Sequence, residues 1–248
     1  LLLRDDFDDV ESVARACARF SKALEEFGYP ECPGNIMVNN PDWRMHASDF
    51  SRRAKSWLLE PSPESLMSLA IFMDAHAVSG DSELLALVKR DVFALVNDNQ
   101  FLLARFAAAI ESFSTESGWW NRLLQLGDKG GEHLNLKKAG IFAIVHGIRS
   151  MALEHRITET STVERMERLV ELGKISRQMA SELIEGLHFM MALKLKAGLT
   201  ELETDKAVSG LIDTRGLSSL ERDLLKDALQ AVKRFKALLK HHFKLEAV

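Results

Sequence analysis

The sequence has few of the residues that define several common protein classes. Its 248 residues include two cysteines, Cys17 and Cys32, which are too few for a disulfide framework and lack metal-ligand spacing. No apolar run reaches the roughly 18 residues that span a bilayer, and no charged-then-apolar signal segment opens the chain. We therefore expect a cytoplasmic protein that does not enter a membrane.

Charge and standard motifs exclude further classes. The formal net charge of −4 argues against a general binder of nucleic acids or anionic membranes. The chain lacks Gly-x-Ser-x-Gly, His-Glu-x-x-His and Cys-x-x-Cys. Four aspartates stand close together in residues 5–9, but they do not follow the calcium-loop pattern, so helix capping is the favoured interpretation and no metal site is expected.

Glycine and proline are also scarce, with 14 and 5 residues, and the apolar spacing is helical almost throughout. These features predict a mainly α fold. Strands are predicted only at Leu1–Leu3 and over 34–38. Asp8 or Asp9 is expected to cap the first helix, and Ser218 with Glu221 forms a capping box for the last. The predicted helices cover 10–27, 48–59, 63–77, 81–97, 99–115, 119–126, 132–155, 162–172, 176–197 and 218–242.

The helix predicted over 132–155 is the centre of the chain, because its apolar face also carries cations. His146 and Arg149 are three residues apart and share the edge of that face, which suits an anion site. An alternative is that Arg149 pairs with a carboxylate and His146 is a hydrogen-bonded core histidine. Asp74, on another apolar helix, needs a partner such as Arg149 or Lys137.

Two turns also have the composition of a ligand site. Residues 39–44 combine amides, Trp43 and Arg44 after a predicted strand, although Trp43 could simply plug a boundary with Arg44 as its surface partner. Glycines in 127–131 precede the central helix and could present backbone amides to an anion, or form a plain flexible loop.

Six groups of residues along the chain carry a resemblance to a known family. They are GYPECPGNIM at 28–37, NPDWR at 40–44, IFMD at 71–74 with GD at 80–81, LKKAGI at 136–141, TVER at 162–165 and LERDLLK at 220–226. In this order they resemble bacterial nucleotidyltransferases related to the PII uridylyltransferases, a family that often carries CBS or cyclic-nucleotide-binding domains upstream.

The resemblance implies a helical bundle at 46–248, a substrate-binding domain, preceded at 1–45 by a short α/β remnant of a nucleotidyltransferase domain. The chain starts at Leu1 without a methionine, so we expect it to be a piece of a longer protein. The family's catalytic signature, a Gly-Ser turn followed by paired aspartates, is absent and is expected upstream of Leu1. No catalytic residue is therefore assigned here. The 34–40 run also lacks the third carboxylate of many nucleotidyltransferases, and Asp42 or a residue elsewhere would have to replace it.

The implied activity of the parent protein is nucleotidyl transfer from a nucleoside triphosphate to a protein or small-molecule acceptor in signal transduction. Mg²⁺ and the triphosphate are expected for the parent, and no cofactor for this chain alone. A PII-like regulatory protein is one acceptor that the resemblance suggests. Each candidate cation could equally form a salt bridge. The candidate nucleotide or acceptor contacts are Asn40, Trp43, Arg44, Lys137, Lys138, Arg149 and Arg165.

Two other classes compete with this interpretation. The chain could be a non-catalytic signalling or docking module coupled to upstream CBS or cyclic-nucleotide-sensing domains. It could also be a homodimer-forming helical domain, which would leave a large apolar face on the bundle surface.

Overall fold

The computed structural model describes residues 1–96, 99–112 and 133–247. These residues are mostly helical, as predicted. The helix predicted at 119–126 and the glycine loop at 127–131 lie outside the described residues. The chain divides into two compact units, Leu1–Leu69 with Ala75–Asn97, and Ala70–Asp74 with Asp98–Val248. The domain boundary predicted between residues 45 and 46 stays a prediction.

The first unit combines a small parallel sheet with helices. Strands β1 (Leu2–Leu3) and β2 (Met45–His46) pair with Leu2 opposite Met45 and Leu3 opposite His46. The core lies where α2 packs against α4, and it includes Phe50, Leu58 and Val92. The helices are α1 (Val10–Glu26), α2 (Ala47–Leu59), the first part of α3 (Pro63–Met73) and α4 (Ser82–Val96).

The first helix begins and ends as its sequence predicts. Asp9 caps α1, because its side chain accepts a hydrogen bond from the Ser12 amide at 3.1 Å. Gly28 follows the helix with a φ of +90°, a conformation that glycine adopts without strain. Cys17 is buried on this helix, whereas Phe20 and Phe27 are exposed.

The strand predicted over 34–38 is wrong. Asn35 has a φ of +55°, which interrupts an extended backbone. Side chains then bind the carbonyls that a neighbouring strand would use. Arg44 Nη1 donates to the Val38 oxygen at 2.9 Å, and Asn40 Nδ2 donates to the Asn35 oxygen at 2.8 Å. The strand that pairs with β1 is β2, which begins one residue after Arg44.

The second unit is a helical bundle with a short antiparallel pair of strands, in which His133 lies opposite Asp213 and Leu134 opposite Ile212. Helix α9 continues past Gly198, beyond its predicted end at 197. The capping box at Ser218 and Glu221 is confirmed. The elements are α5 (Gln100–Ala107), α6 (Ala109–Ser112), β3 (His133–Leu134), a π-helical turn (Lys137–Ile141), α7 (Phe142–Glu154), α8 (Thr162–Glu171), α9 (Arg177–Glu203), β4 (Ile212–Asp213) and α10 (Ser219–His242).

Helix α7 is the central helix of this unit. It packs against α5, α8 and α10, and most of its residues are buried, including Ile144, Ile148 and Met151. In the described part of the chain, no helix has both the length and the apolar character that crossing a membrane requires.

The close contact of α7 with α10 should be sensitive to one added methyl group. A Cβ at Gly147 would lie 2.4 Å from Leu239 Cδ1 and 2.7 Å from Phe235 Cε1. We expect Gly147→Ala to lower the free energy of unfolding by about 1 kcal/mol or more, because overpacking outweighs the helix propensity that alanine adds.

Denaturant titration measures this change, with Gly216→Ala as the control. A Cβ at Gly216 would meet no atom within 4 Å, so its effect should stay within about 0.5 kcal/mol. Equal stability of the two variants would contradict the tight packing of α7 on α10.

Candidate functional site

Two arginines of the second unit converge on Asp74, which directly follows α3. Arg149 of α7 donates from Nε to Asp74 Oδ1 at 3.0 Å, and its Nη2 pairs with Oδ2. Arg165 of α8 donates from Nη1 to the same Oδ1 at 2.6 Å. The bidentate geometry of Arg149 fixes the carboxylate plane, and Arg165 adds a second charge-assisted bond.

Arg165 is held from several sides. Its Nη2 donates to the Met73 oxygen at 3.0 Å, and its Nε donates to the Glu159 oxygen at 2.6 Å. The Arg165 side chain is only 2% exposed, whereas that of Asp74 is 35% exposed. The arginine is therefore the buried part of this cluster, and the carboxylate is the part that solvent reaches.

The charges in the cluster do not cancel, since two guanidiniums share one carboxylate. Partial burial alone would raise the pKa of Asp74, but hydrogen bonds and charge from Arg149 and Arg165 outweigh it and hold that pKa below its ordinary value. Burial also lowers the pKa of Arg165, although Asp74 opposes this effect, and a guanidinium stays charged in either case. The cluster thus carries a formal charge of +1 in a mostly buried position.

His146 extends the cluster towards α5. Its Nε2 donates to the Phe106 oxygen at 2.8 Å, because a carbonyl can only accept. Its Nδ1 accepts from Arg149 Nη1 at 3.3 Å, since a guanidinium can only donate. The imidazole is therefore neutral, and burial, together with the charge of Arg149, lowers its pKa to about 4.

These contacts decide several of the sequence-based alternatives. The pairing of Asp74 with Arg149 is confirmed, and His146 is the hydrogen-bonded core histidine of the alternative interpretation. Arg165 as the second partner of Asp74 was missed. Its signal in the sequence is weak but real, because Arg165 falls in the same inward stripe of α8 as Met166 and Leu169, both fully buried.

Lys137 and Lys138 lie away from this cluster. They are exposed in the π-helical turn before α7, whereas Arg149 is twelve positions beyond Lys137, about 18 Å along a regular helix. Within the ranges that the structure covers, neither lysine forms an ion pair. They are the accessible cations among the candidates of the second unit.

The three candidates of the first unit share one turn. The Asn40 side chain accepts a hydrogen bond from the Asp42 amide at 2.9 Å and so caps the turn. The Trp43 ring packs at 5.6 Å from that of Trp57, which supports its interpretation as a plug. Arg44 binds carbonyls through Nη1, but its buried Nε has no hydrogen-bond partner among the described residues.

The described residues do not fit the magnesium ion of the implied chemistry. No group of three or more histidine, cysteine or carboxylate side chains in these parts of the chain is arranged to hold a metal ion. Asp42, the candidate replacement for the third carboxylate, pairs with Arg53 Nη2 at 2.8 Å.

The described parts define a mainly α protein, in which a helical unit built around a buried arginine–aspartate cluster is joined to a small unit with a parallel strand pair. Residues 1–64 match the family model described as "Putative nucleotidyltransferase DUF294". Residues 100–243, more than half of the chain, match the model described as "Putative nucleotidyltransferase substrate binding domain". The chain belongs to this nucleotidyltransferase family. Comparisons with curated proteins and with solved structures gave no match.

The family match includes every candidate residue but leaves out Asp74. The range 1–64 contains Asn40, Trp43 and Arg44, and the range 100–243 contains the four cations. Asp74 lies between the two ranges. The roles of the seven candidates in nucleotide or acceptor binding stay predictions.

Removing the charge of Asp74 should destabilise the second unit. In Asp74→Asn, two largely buried guanidiniums lose their shared counter-ion. We expect the free energy of unfolding to fall by about 2 kcal/mol. This is less than for a fully buried pair, because Asp74 is partly exposed. Thermal unfolding of the variant measures this loss. Asp223→Asn, at an exposed carboxylate beside Lys226, is the matched control and should have little effect. Equal unfolding temperatures would show that Asp74 does not stabilise the cluster.

The low pKa of His146 predicts a pH dependence of stability. The folded state keeps this imidazole neutral, so His146 contributes fully to the free energy of unfolding above the unfolded pKa of about 6.5. This contribution, roughly 3 kcal/mol, is lost as the pH falls towards 4. Unfolding free energies measured between pH 7 and pH 4 should therefore fall less steeply in His146→Gln than in the parent sequence. His188→Gln, at an exposed histidine of α9, should retain the parent slope, and a shared slope in all three proteins would contradict the assignment.

Proposed function

We propose that this chain is the C-terminal portion of a nucleotidyltransferase and that its helical unit positions a nucleotide or an acceptor. The observation that carries the proposal is the order of the two family matches, with nucleotidyltransferase sequence at 1–64 followed by substrate-binding sequence at 100–243. The paired-aspartate signature is not among these 248 residues. The part proposed for this chain is therefore recognition rather than bond making.

In this proposal the reaction is transfer of a nucleotidyl group from a triphosphate to a protein or small-molecule acceptor in signal transduction. The relation to PII uridylyltransferases rests on the sequence resemblance, and it makes a PII-like regulatory protein a candidate acceptor. Mg²⁺ would act in the parent protein, where it supplies charge stabilisation for the triphosphate. CBS or cyclic-nucleotide-binding domains upstream would couple the reaction to nucleotide levels.

The exposure of the cations in the second unit determines which of them could contact a phosphate directly. Lys137 and Lys138 are exposed and can contact phosphate oxygens directly as point charges. Arg149 and Arg165 already bind Asp74, so a phosphate could replace that carboxylate only if Asp74 moved away. The lysines are therefore the first residues to test, and the arginines the second.

Calorimetric titration of magnesium-bound ATP and UTP into the parent protein, with the residues expected upstream of Leu1 present, tests this proposal. We expect one of the two nucleotides to bind, and the double variant Lys137→Ala, Lys138→Ala to weaken binding about tenfold or more, because each charged contact to phosphate contributes at least about 1.5 kcal/mol. Lys233→Ala, at an exposed lysine of α10, controls for the loss of positive charge and should bind as the parent sequence does.

The arginines need a variant that keeps their charge. Arg149→Lys retains the cation but cannot form the bidentate contact, so a loss of binding in this variant alone would locate the nucleotide at the Asp74 cluster. If neither nucleotide binds to the unmutated parent protein, the nucleotide-positioning role is wrong, and the helical unit is left as an acceptor-binding or docking surface.

A further inference from the structure

Helix α9 is apolar on its outer side as well as on its inner side. Its inner stripe, which includes Leu183, Leu187 and Met190, is buried in the bundle. The outer stripe follows the helical spacing of four, four and three, so its members share one face. Their exposed fractions range from 51% to 65%. The members of this outer stripe are Met191, Leu195, Leu199 and Leu202.

Neighbouring elements extend this surface. Leu220 and Leu224 of α10 are exposed, and the Lys196–Glu221 contact at 2.8 Å joins the two helices beside them. On the other side, exposed Val208 lies close to Gly198. Single exposed leucines are common on protein surfaces, but a contiguous set on two helices is typical of an interaction surface.

The charges beside the outer stripe indicate which partner fits. Lys194 flanks its first half, and Glu201 and Glu203 flank its second half. Lys196 is already paired with Glu221, whereas Glu201 keeps its negative charge because its hydrogen-bond partner, Ser209, is neutral.

In a second copy that runs antiparallel, the basic half of one α9 would face the acidic half of the other. If the two-fold axis lies midway between Met191 and Leu202, Lys194 is within about 3 Å of Glu201 of the second copy, measured along the helix axis. A parallel copy would instead place like charges together.

We propose that the outer stripe of α9 binds the same stripe of a second copy of this chain, antiparallel, about a two-fold axis midway between Met191 and Leu202. The contact is isologous, so the same apolar residues of the outer stripe are buried in both copies. The surface would then be covered by leucine and methionine side chains at its centre and by complementary charges at its edges. This inference does not depend on the proposed nucleotide-binding role.

Sedimentation equilibrium of the chain at micromolar concentration tests the proposal. We expect the mass of a dimer, and we expect Leu195→Glu to raise the dissociation constant at least about tenfold, since a charge enters the centre of the contact in both copies. Glutamate favours helix at this exposed position, and circular dichroism checks the fold. Phe20→Glu, on the exposed face of α1, is the matched control and should leave the dimer intact.

Cross-linking then determines the direction of pairing. After Cys32→Ser removes the exposed native thiol, Leu195→Cys and Leu202→Cys are each treated with a short bis-maleimide. In the antiparallel dimer the two residues at 195 are about 5 Å apart along the axis, and the two at 202 are about 16 Å apart. We therefore expect efficient cross-linking at 195 and little at 202.

Three results would overturn the proposal. One is a monomer at all concentrations, and another is a dimer that Phe20→Glu disrupts and Leu195→Glu does not. The third is equal cross-linking at 195 and 202, which would require parallel helices. If Leu195→Glu fails to fold, Lys194→Glu replaces it. The carboxylate at position 194 would face Glu201 of the second copy, and this repulsion should raise the dissociation constant of the dimer.

Discussion

The shared carboxylate of Asp74 is the interaction on which the helical unit depends. Without it, Arg149 and Arg165 would place two positive charges in a region where most of the buried side chains of α7 and α8 are apolar. A buried ion pair rarely adds much net stability, but losing one partner is costly because the remaining charge is left unpaired. Asp74 therefore fixes the end of α3 against two helices that are far from it in sequence.

The parts of this structure that depend on local pattern could be predicted from the sequence. Apolar spacing located most of each helix, and Ser218 with Glu221 defined the start of α10, because capping involves residues three apart. The start of the central helix predicted over 132–155 is wrong, because His133–Leu134 form strand β3 and pair with β4. The strand predicted over 34–38 is another exception, because its residue types favour a strand but nearby side chains, such as that of Arg44, bind its carbonyls instead. The contact between Arg165 and Asp74 joins residues 91 positions apart, and no local spacing encodes such a contact.

The candidate binding residues could also be predicted only in part from the sequence. Composition and resemblance selected seven of them, but only the structure separates the exposed lysines of the π-helical turn from the arginines that already hold a carboxylate. His146 illustrates the difference, since the sequence pattern of a histidine three residues from an arginine fits an anion site as well as it fits a hydrogen-bonded core histidine. The Phe106 carbonyl decides its role, because that oxygen requires the proton on Nε2 and leaves Nδ1 to accept from Arg149.

The position of Asp74 outside both matched ranges has a practical consequence for dividing this protein. A fragment cut at the limits of the substrate-binding family, 100–243, would contain both arginines but not their shared counter-ion, which enters the bundle from α3. Such a fragment would have to expose or rearrange the interior of α7 and α8 to hydrate these charges. The helical unit therefore needs the last turn of α3, which lies upstream of the family boundary and is separated along the chain from the rest of the unit by residues of the first unit.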